Sequence, residues 1–220
     1  MIYKRITLLC GHYGSGKTNV AVNMAYDIKA QFADVAIADL DIVNPYFRTK
    51  DSKEDLEQRG ITLISSEYAG TNVDIPAMPQ QMYMLTDNKS LHAVIDVGGD
   101  DRGALALGRI APAIVEENNY EMLFVINCYR PLTRDAESTI EVMREIEDAC
   151  KIKFTAIVNN SNLGNETSAQ DVINSVEYAK EVSRLTGLPI KCTCAYGEVY
   201  EKVKSEIENV FPLKLQSKIN

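Results

Sequence analysis

The sequence has no uninterrupted apolar stretch approaching the ~20 residues that a membrane-spanning helix requires. Its opening MIYKRITLLC carries basic residues, but the apolar run is too short for a signal peptide and leads straight into a glycine-rich loop. The expectation is a cytoplasmic protein. Positive charge is not in excess: 23 Lys and Arg stand against 31 Asp and Glu, a formal net charge of −8. Such a surface repels nucleic acid and anionic lipid on average, so neither nucleic acid nor membrane is an expected partner. The 5 cysteines are scattered and odd in number, which argues for reduced thiols and against a disulfide framework. No internal repeat, low-complexity tract or linker divides the chain. With 45% hydrophobic and 25% charged residues, residues 1–220 are expected to form one α/β domain with one core.

Short apolar runs rich in β-branched residues alternate with longer stretches of helical period, the pattern of a mostly parallel central sheet flanked by helices on both faces. The expected strands are Ile6–Cys10, Val35–Ala38, Ile61–Ser65, His92–Val97, Met122–Asn127, Phe154–Asn159 and Pro189–Cys194. Ala136, Ile140, Met143, Ile146 and Cys150 mark one helix face; Ser168 and Asp171 make a capping-box pattern ahead of Val172, Val176, Ala179 and Val182, stopped by Gly187 and Pro189. The stretches from Asp41 to Gly60 and from Tyr68 to Pro79 are expected as irregular segments over the functional edge of the sheet. A last stripe, Val199, Val203, Ile207 and Val210, has an acidic opposite face, which favours a helix docked on the domain over one lying on a membrane.

Gly11-His12-Tyr13-Gly14-Ser15-Gly16-Lys17-Thr18 fits G-x-x-x-x-G-K-[ST], follows the first expected strand, and precedes an apolar helix through Val20, Val22, Met24 and Ile28. The loop through Asn19 is therefore a candidate phosphate cradle. Its glycines allow backbone N–H groups to turn inward, Lys17 reaches the β- and γ-phosphates, and the Thr18 hydroxyl ligates Mg²⁺. A plain strand-to-helix turn requires neither Lys17 nor Thr18.

Two strand ends supply carboxylates, Ala38-Asp39-Leu40-Asp41 and Val94-Ile95-Asp96-Val97-Gly98-Gly99-Asp100-Asp101. Asp96 is the candidate that holds Mg²⁺ through water, and the Gly99 N–H is placed to sense a γ-phosphate. The bland reading of each is a solvated acidic turn.

With these motifs the chain resembles the MinD/ParA/nitrogenase iron protein group of P-loop ATPases, within the wider CobQ/CobB/MinD/ParA nucleotide-binding family. The resemblance runs from the glycine loop through DLDIVNPYFR and DVGGDDRG to the late IVNN segment. It implies ATP and Mg²⁺ as ligands and a homodimer that forms on ATP binding and acts on an unidentified protein client. It further implies that Asp41 prepares the attacking water with Asp39 in support, that Thr18, Asp96 and Asp41 surround the metal, and that Lys17 serves catalysis. An Asn after the sixth strand, Asn159 or Asn160, is the implied adenine contact; the segment lacks the Asp of an N-K-x-D guanine reader, which favours ATP over GTP. One departure stands out. The group's loop often reads G-K-G-G-x-G-K-[ST], and His12 occupies the place of its signature lysine. Slow hydrolysis is expected, with charge supplied by His12, by one of Arg48, Arg102, Arg130 or Arg134 from the facing subunit, or by a partner. Cys192 and Cys194 are either core residues or half of a cluster shared across a dimer. Met78, Met82 and Met84 are either core residues or a docking surface. A small-molecule phosphotransferase and a non-hydrolysing nucleotide-binding adaptor remain the rival functions.

Overall fold

The computed structural model describes residues 1–40, 52–65, 80–98, 103 and 107–215. Strand β1 (Ile6–Cys10) leads into helix α1 (Lys17–Lys29), followed by β2 (Val35–Leu40), α2 (Lys53–Gln58) and β3 (Thr62–Ser65). Then come α3 (Met84–Asp87), β4 (His92–Val97), α4 (Ala111–Glu117) and β5 (Tyr120–Ile126). The last part comprises α5 (Ala136–Cys150), β6 (Ala156–Asn159), α6 (Ala169–Thr186), β7 (Ile190–Tyr196), α7 (Gly197–Val203) and β8 (Val210–Leu213).

The eight strands form one sheet in the order β3-β2-β4-β1-β5-β6-β7-β8, and every pairing is parallel. Parallel strands need crossover connections, and these place helices on both faces, so the central strands are buried on both sides and read as continuous apolar runs. β1, β2 and β5 show it: ITLLC, VAIADL and YEMLFVI have no exposed position. One face carries Leu9, Ile37, Val94, Val125 and Val158 against Val20, Ala21, Met24 and Ile28 of α1. The other carries Leu8, Ala38, Ile95 and Phe124 against Leu85 of α3, Ile114 of α4, Ile140 of α5 and Val182 of α6.

Local chemistry sets the helix ends. Asp135 accepts from the Ser138 N–H at the start of α5, and Ser168 and Asp171 form a complete capping box on α6, whose end is closed by Gly187 at φ 74°. The expected C-terminal stripe is corrected in part. α7 ends at Val203, the chain turns through Asn209 at φ 55°, and Val210 opens an edge strand. Pro212 fits the strand, since a proline is tolerated on the outer edge of a sheet and disfavours a helix through this stretch. The stripe still docks on the domain, with Val203 buried and Val199, Ile207 and Val210 packed around Val172 and Ala195. Lys53–Gln58 is likewise helical, where an irregular segment was expected. Met82 is core and Met84 is exposed, while Met78 lies outside the described residues. Among the described residues no helix is long and apolar enough to cross a membrane.

Because β1 has β4 on one side and β5 on the other, the strand order reverses at its carboxyl end, where the glycine loop leaves it. Open parallel sheets hold ligands in the crevice at that point.

Candidate nucleotide-binding site

The glycine loop is shaped by close approach. A Cβ on Gly11 would lie 2.3 Å from the Val125 carbonyl oxygen, so only glycine lets β1 pass into the loop beside β5. The Ser15 N–H donates to the His12 carbonyl at 3.1 Å and closes the turn. Gly16 then caps α1 at φ 83° with no side-chain capping bond. The first-turn N–H groups of a helix have no intrahelical acceptor, and the positive end of its dipole adds to them, so this terminus suits an anion.

Two further groups fit a phosphate ligand. Lys17 is only 5% exposed, and its Nζ has one long contact, 3.5 Å to the His12 carbonyl. A buried ammonium with one long contact among the described residues is suited to an anionic partner. The buried Ser15 Oγ has no hydrogen-bond partner, a second polar atom suited to a phosphate.

The carboxylates arrive from the neighbouring strands. Asp39 of β2 stands in register with Asp96 of β4, and Asp96 in turn with Leu9 of β1. Alternation places all three on the face that α1 covers, and Thr18 lies in the first turn of that helix; Asp39 and Asp96 are not among the cavity's lining residues. Asp96 is fully buried, Asp39 and Thr18 nearly so. A hydroxyl and two carboxylates are the hard oxygen donors Mg²⁺ prefers, so this residue set fits the ion. Asp41, Gly99, Arg48 and Arg102 lie outside the described residues.

The two asparagines after β6 separate. Asn159 turns into the core, donating to Ser175 Oγ at 2.9 Å and accepting from Ser161. Asn160 turns toward the glycine loop, donating from Nδ2 to the Ser15 carbonyl at 2.7 Å. A cavity of about 660 Å³ opens here, reaching from Tyr13, Lys17, Thr18 and Asn19 past Asn160 and Asn165 to Leu213. Asn159 and His12 are not among its lining residues. The His12 ring is turned back, with Nδ1 donating to the Tyr13 carbonyl at 2.8 Å.

Sequence reading missed Asn127, fully buried at the end of β5. Its Oδ1 accepts from the N–H groups of Tyr129 and Asn162, and its Nδ2 donates to the Asn162 carbonyl at 3.2 Å. The bonds tie the loop after β5 to the loop after β6, and the only sequence signal was a polar residue closing an apolar strand. Of the arginines, Arg130 donates from Nε to the Gly14 carbonyl at 2.8 Å, whereas Arg134 is 79% exposed and pairs with Asp135. Cys192 and Cys194 are core residues; burial raises the Cys194 thiol pKa well above its ordinary value. Among the described residues no three His, Cys, Asp or Glu side chains are grouped to hold a metal.

No protein-family model matches the chain, and no curated protein does. Solved structures match at the level of fold. The cell division protein FtsY of Thermotoga maritima superposes with a TM-score of 0.59 at 18% identity, over 86% of this chain and 61% of that one. FtsY of Mycoplasma mycoides gives 0.57 at 20% identity, over 84% and 58%. The signal recognition particle 54 kDa protein of Aeropyrum pernix, solved in complex with GDP, gives 0.53 at 18% identity, over 86% and 40%. The chain thus spans about 60% or less of the length of these proteins. Identity this low speaks for architecture and does not single out the MinD/ParA group. With its glycine loop at the switch point of an all-parallel sheet, the chain has a P-loop NTPase fold.

Proposed function

We propose that the chain is a cytoplasmic, Mg²⁺-dependent ATP-binding protein and slow ATPase, working as a dimeric nucleotide switch on a partner protein in the manner of the MinD/ParA/nitrogenase iron protein group. One juxtaposition carries the reading: Asp39 and Asp96 stand in register on the face covered by the helix whose first turn bears Lys17 and Thr18. In this assignment Gly11 to Asn19 and the α1 terminus hold the phosphates, and Lys17 neutralises charge that grows on them. Thr18, Asp96 and Asp41 hold Mg²⁺, which supplies further neutralisation when bound. Asp41 orients the attacking water, with Asp39 beside Asp96 at the end of β2 keeping the carboxylate row in place. Phosphoryl transfer needs mainly positioning and charge stabilisation of this kind. Gly99 follows the phosphate state.

The far end of the cavity supports adenine. Its polar side chains include the amides of Asn160, Asn162 and Asn165, and among the described residues that line it none carries a carboxylate to pair with guanine N1–H and N2–H. Asn160, rather than Asn159, is the candidate base contact. GDP in the Aeropyrum protein makes guanine nucleotides the rival ligand. Tyr13, Leu132 and Leu163 are exposed on the three loops around the site, an arrangement suited to a partner surface.

Titration calorimetry with ATP and GTP in the presence of Mg²⁺ tests the reading. Wild type should bind ATP more tightly than GTP, and Lys17→Ala should lose most of that affinity. Equal affinity for both nucleotides, or undiminished binding by Lys17→Ala, would sink it.

A further inference from the structure

We propose that Arg130 is a phosphate-contacting residue of this site, supplying from the same chain a second positive charge beside Lys17. The inference rests on the nucleotide reading of the cavity and adds to it the source of the charge that His12 does not provide.

In a chain of net charge −8, the side chains lining the cavity include two that are charged, Lys17 and Arg130, and both are positive. Among the described residues that line it, none is acidic. Arg130 forms no ion pair among the described residues, a property it shares with Arg59, Arg109 and Arg144, and of these four it alone lines the cavity. An arginine left without a counter-ion on the wall of a cavity is suited to an anionic ligand.

Its position is built by the chain around it. The loop after β5 folds back on the buried Asn127, whose carbonyl accepts from the Arg130 N–H at 3.2 Å and from Thr133 Oγ1 at 2.7 Å. The Arg130 carbonyl accepts from the Thr133 N–H at 3.1 Å. With the backbone held at both ends, the side chain lies flat on the glycine loop. Nε donates to the Gly14 carbonyl at 2.8 Å, and a Cβ on Gly14 would lie 3.4 Å from Nε and 3.8 Å from Cζ. Gly14, at φ 78°, is also a position that favours glycine for its backbone. A single N–H of the guanidinium is used in this bond. The two terminal nitrogens remain as a fork beside the turn that would wrap the phosphates, and such a fork is the donor geometry that matches phosphate oxygens in pairs.

A charge from the same chain differs from one delivered across a dimer, since it acts on the first molecule of nucleotide bound by a single subunit. It is also fixed by the Gly14 bond before the ligand arrives, which lowers the ordering cost of the contact.

Two variants separate this role from mere bracing of the loop. Arg130→Gln keeps a side-chain N–H for the Gly14 carbonyl and loses the charge, whereas Arg130→Lys keeps the charge. ATP affinity is measured by calorimetry for wild type and both variants at low and at high salt, below the protein concentration at which a dimer forms. Arg130→Gln should weaken ATP binding about tenfold or more and flatten its salt dependence, because one screened charge contact is gone. Arg130→Lys should restore both in part. Unchanged ATP affinity in Arg130→Gln overturns the proposal, as does a loss of affinity with the wild-type salt dependence, which marks a brace. If wild type binds no nucleotide, the nucleotide reading falls and the role of Arg130 with it; if wild type binds and Arg130→Gln matches it, only the role of Arg130 falls.

Discussion

The side-chain amide of Asn160 donates to the Ser15 carbonyl at 2.7 Å, and a Cβ added to Gly16 would lie 2.4 Å from the same nitrogen. The loop that would face the base and the loop that would face the phosphates are therefore joined at one buried contact. Removing the amide should loosen both together. Asn160→Ala is expected to cost about 1 kcal/mol of stability and to weaken ATP binding about tenfold. Gly16→Ala should do more, since it combines the clash with a left-handed backbone that a Cβ disfavours. Denaturant titration and calorimetry on the two variants check this. Wild-type affinity in Asn160→Ala would show that the contact leaves the ligand untouched.

Much of this arrangement was legible in the sequence, for reasons that differ by residue. β1 and β4 run over the expected residues because short β-branched runs bounded by turn residues have no other use in a chain of this pattern. The capping box at Ser168 and the stop at Gly187 rest on local hydrogen bonds and one backbone angle, so they too are local signals. β8 was not legible. Val199, Val203, Ile207 and Val210 fit a helical stripe, and only Asn209 and Pro212 signal that the chain turns and extends. Boundaries shifted where pairing decided them: β7 runs on to Tyr196 because β8 pairs with it as far as Leu213. In the site, the loop and its lysine carry a spacing that can be read directly. The choice between Asn159 and Asn160 depends on which way each side chain turns at the end of β6, and the roles of Asn127 and Arg130 depend on contacts between distant loops.

The two carboxylates proposed for the metal, Asp96 and Asp41, should separate binding from turnover. Asp96→Ala is expected to retain ATP binding through the loop and to lose the response to Mg²⁺. Asp41→Asn should bind ATP normally and hydrolyse it at least about a hundredfold more slowly, as expected when a water-orienting group is lost. Single-turnover hydrolysis with and without Mg²⁺ distinguishes them. A wild-type rate in Asp41→Asn would place the water-orienting role elsewhere.

Stability in acid should depend on an ion pair at the amino-terminal end of the central strands, opposite the glycine loop. Arg5 is 4% exposed, makes a two-pronged pair with Glu117, and donates from Nη1 to the carbonyls of Leu85 and Leu91, each at 2.9 Å. Arg5 first, and then Lys89, hold the Glu117 carboxyl down at about 2, against 4.5 ordinarily. The folded value is the lower one, so the stabilisation is present above pH 4.5 and is lost as pH falls from there toward 2. Glu117→Gln should be less stable than wild type at pH 7, with the difference narrowing at pH 3. Arg5→Met should cost about 1–3 kcal/mol at pH 7, because it leaves the buried carbonyls of Leu85 and Leu91 without their donor and Glu117 without its main partner. Denaturant unfolding at the two pH values measures both; a constant gap between wild type and Glu117→Gln would contradict the assignment.

The histidine of the glycine loop gives the last expectation. His12 donates from Nδ1 to the Tyr13 carbonyl at 2.8 Å, so the ring folds onto its own loop and is not part of the cavity wall. An imidazole is shorter than the lysine that the resembling group carries at this place. Within one subunit, then, the ring as placed is turned away from the cavity. His12→Ala should bind ATP within about twofold of wild type, the range expected for a surface change away from special contacts. A lysine at the same place has both the charge and the length to reach outward from the loop. If two subunits meet at this face with ATP between them, His12→Lys should tighten ATP-dependent dimerisation and speed hydrolysis, while its affinity for ATP as a monomer stays the same. Sedimentation velocity with and without ATP, paired with steady-state hydrolysis, reads both effects. A His12→Lys variant that matches wild type in dimerisation and in rate would remove this loop from the dimer interface, and a large loss of monomer affinity in His12→Ala would show that the ring swings into the cavity when nucleotide binds.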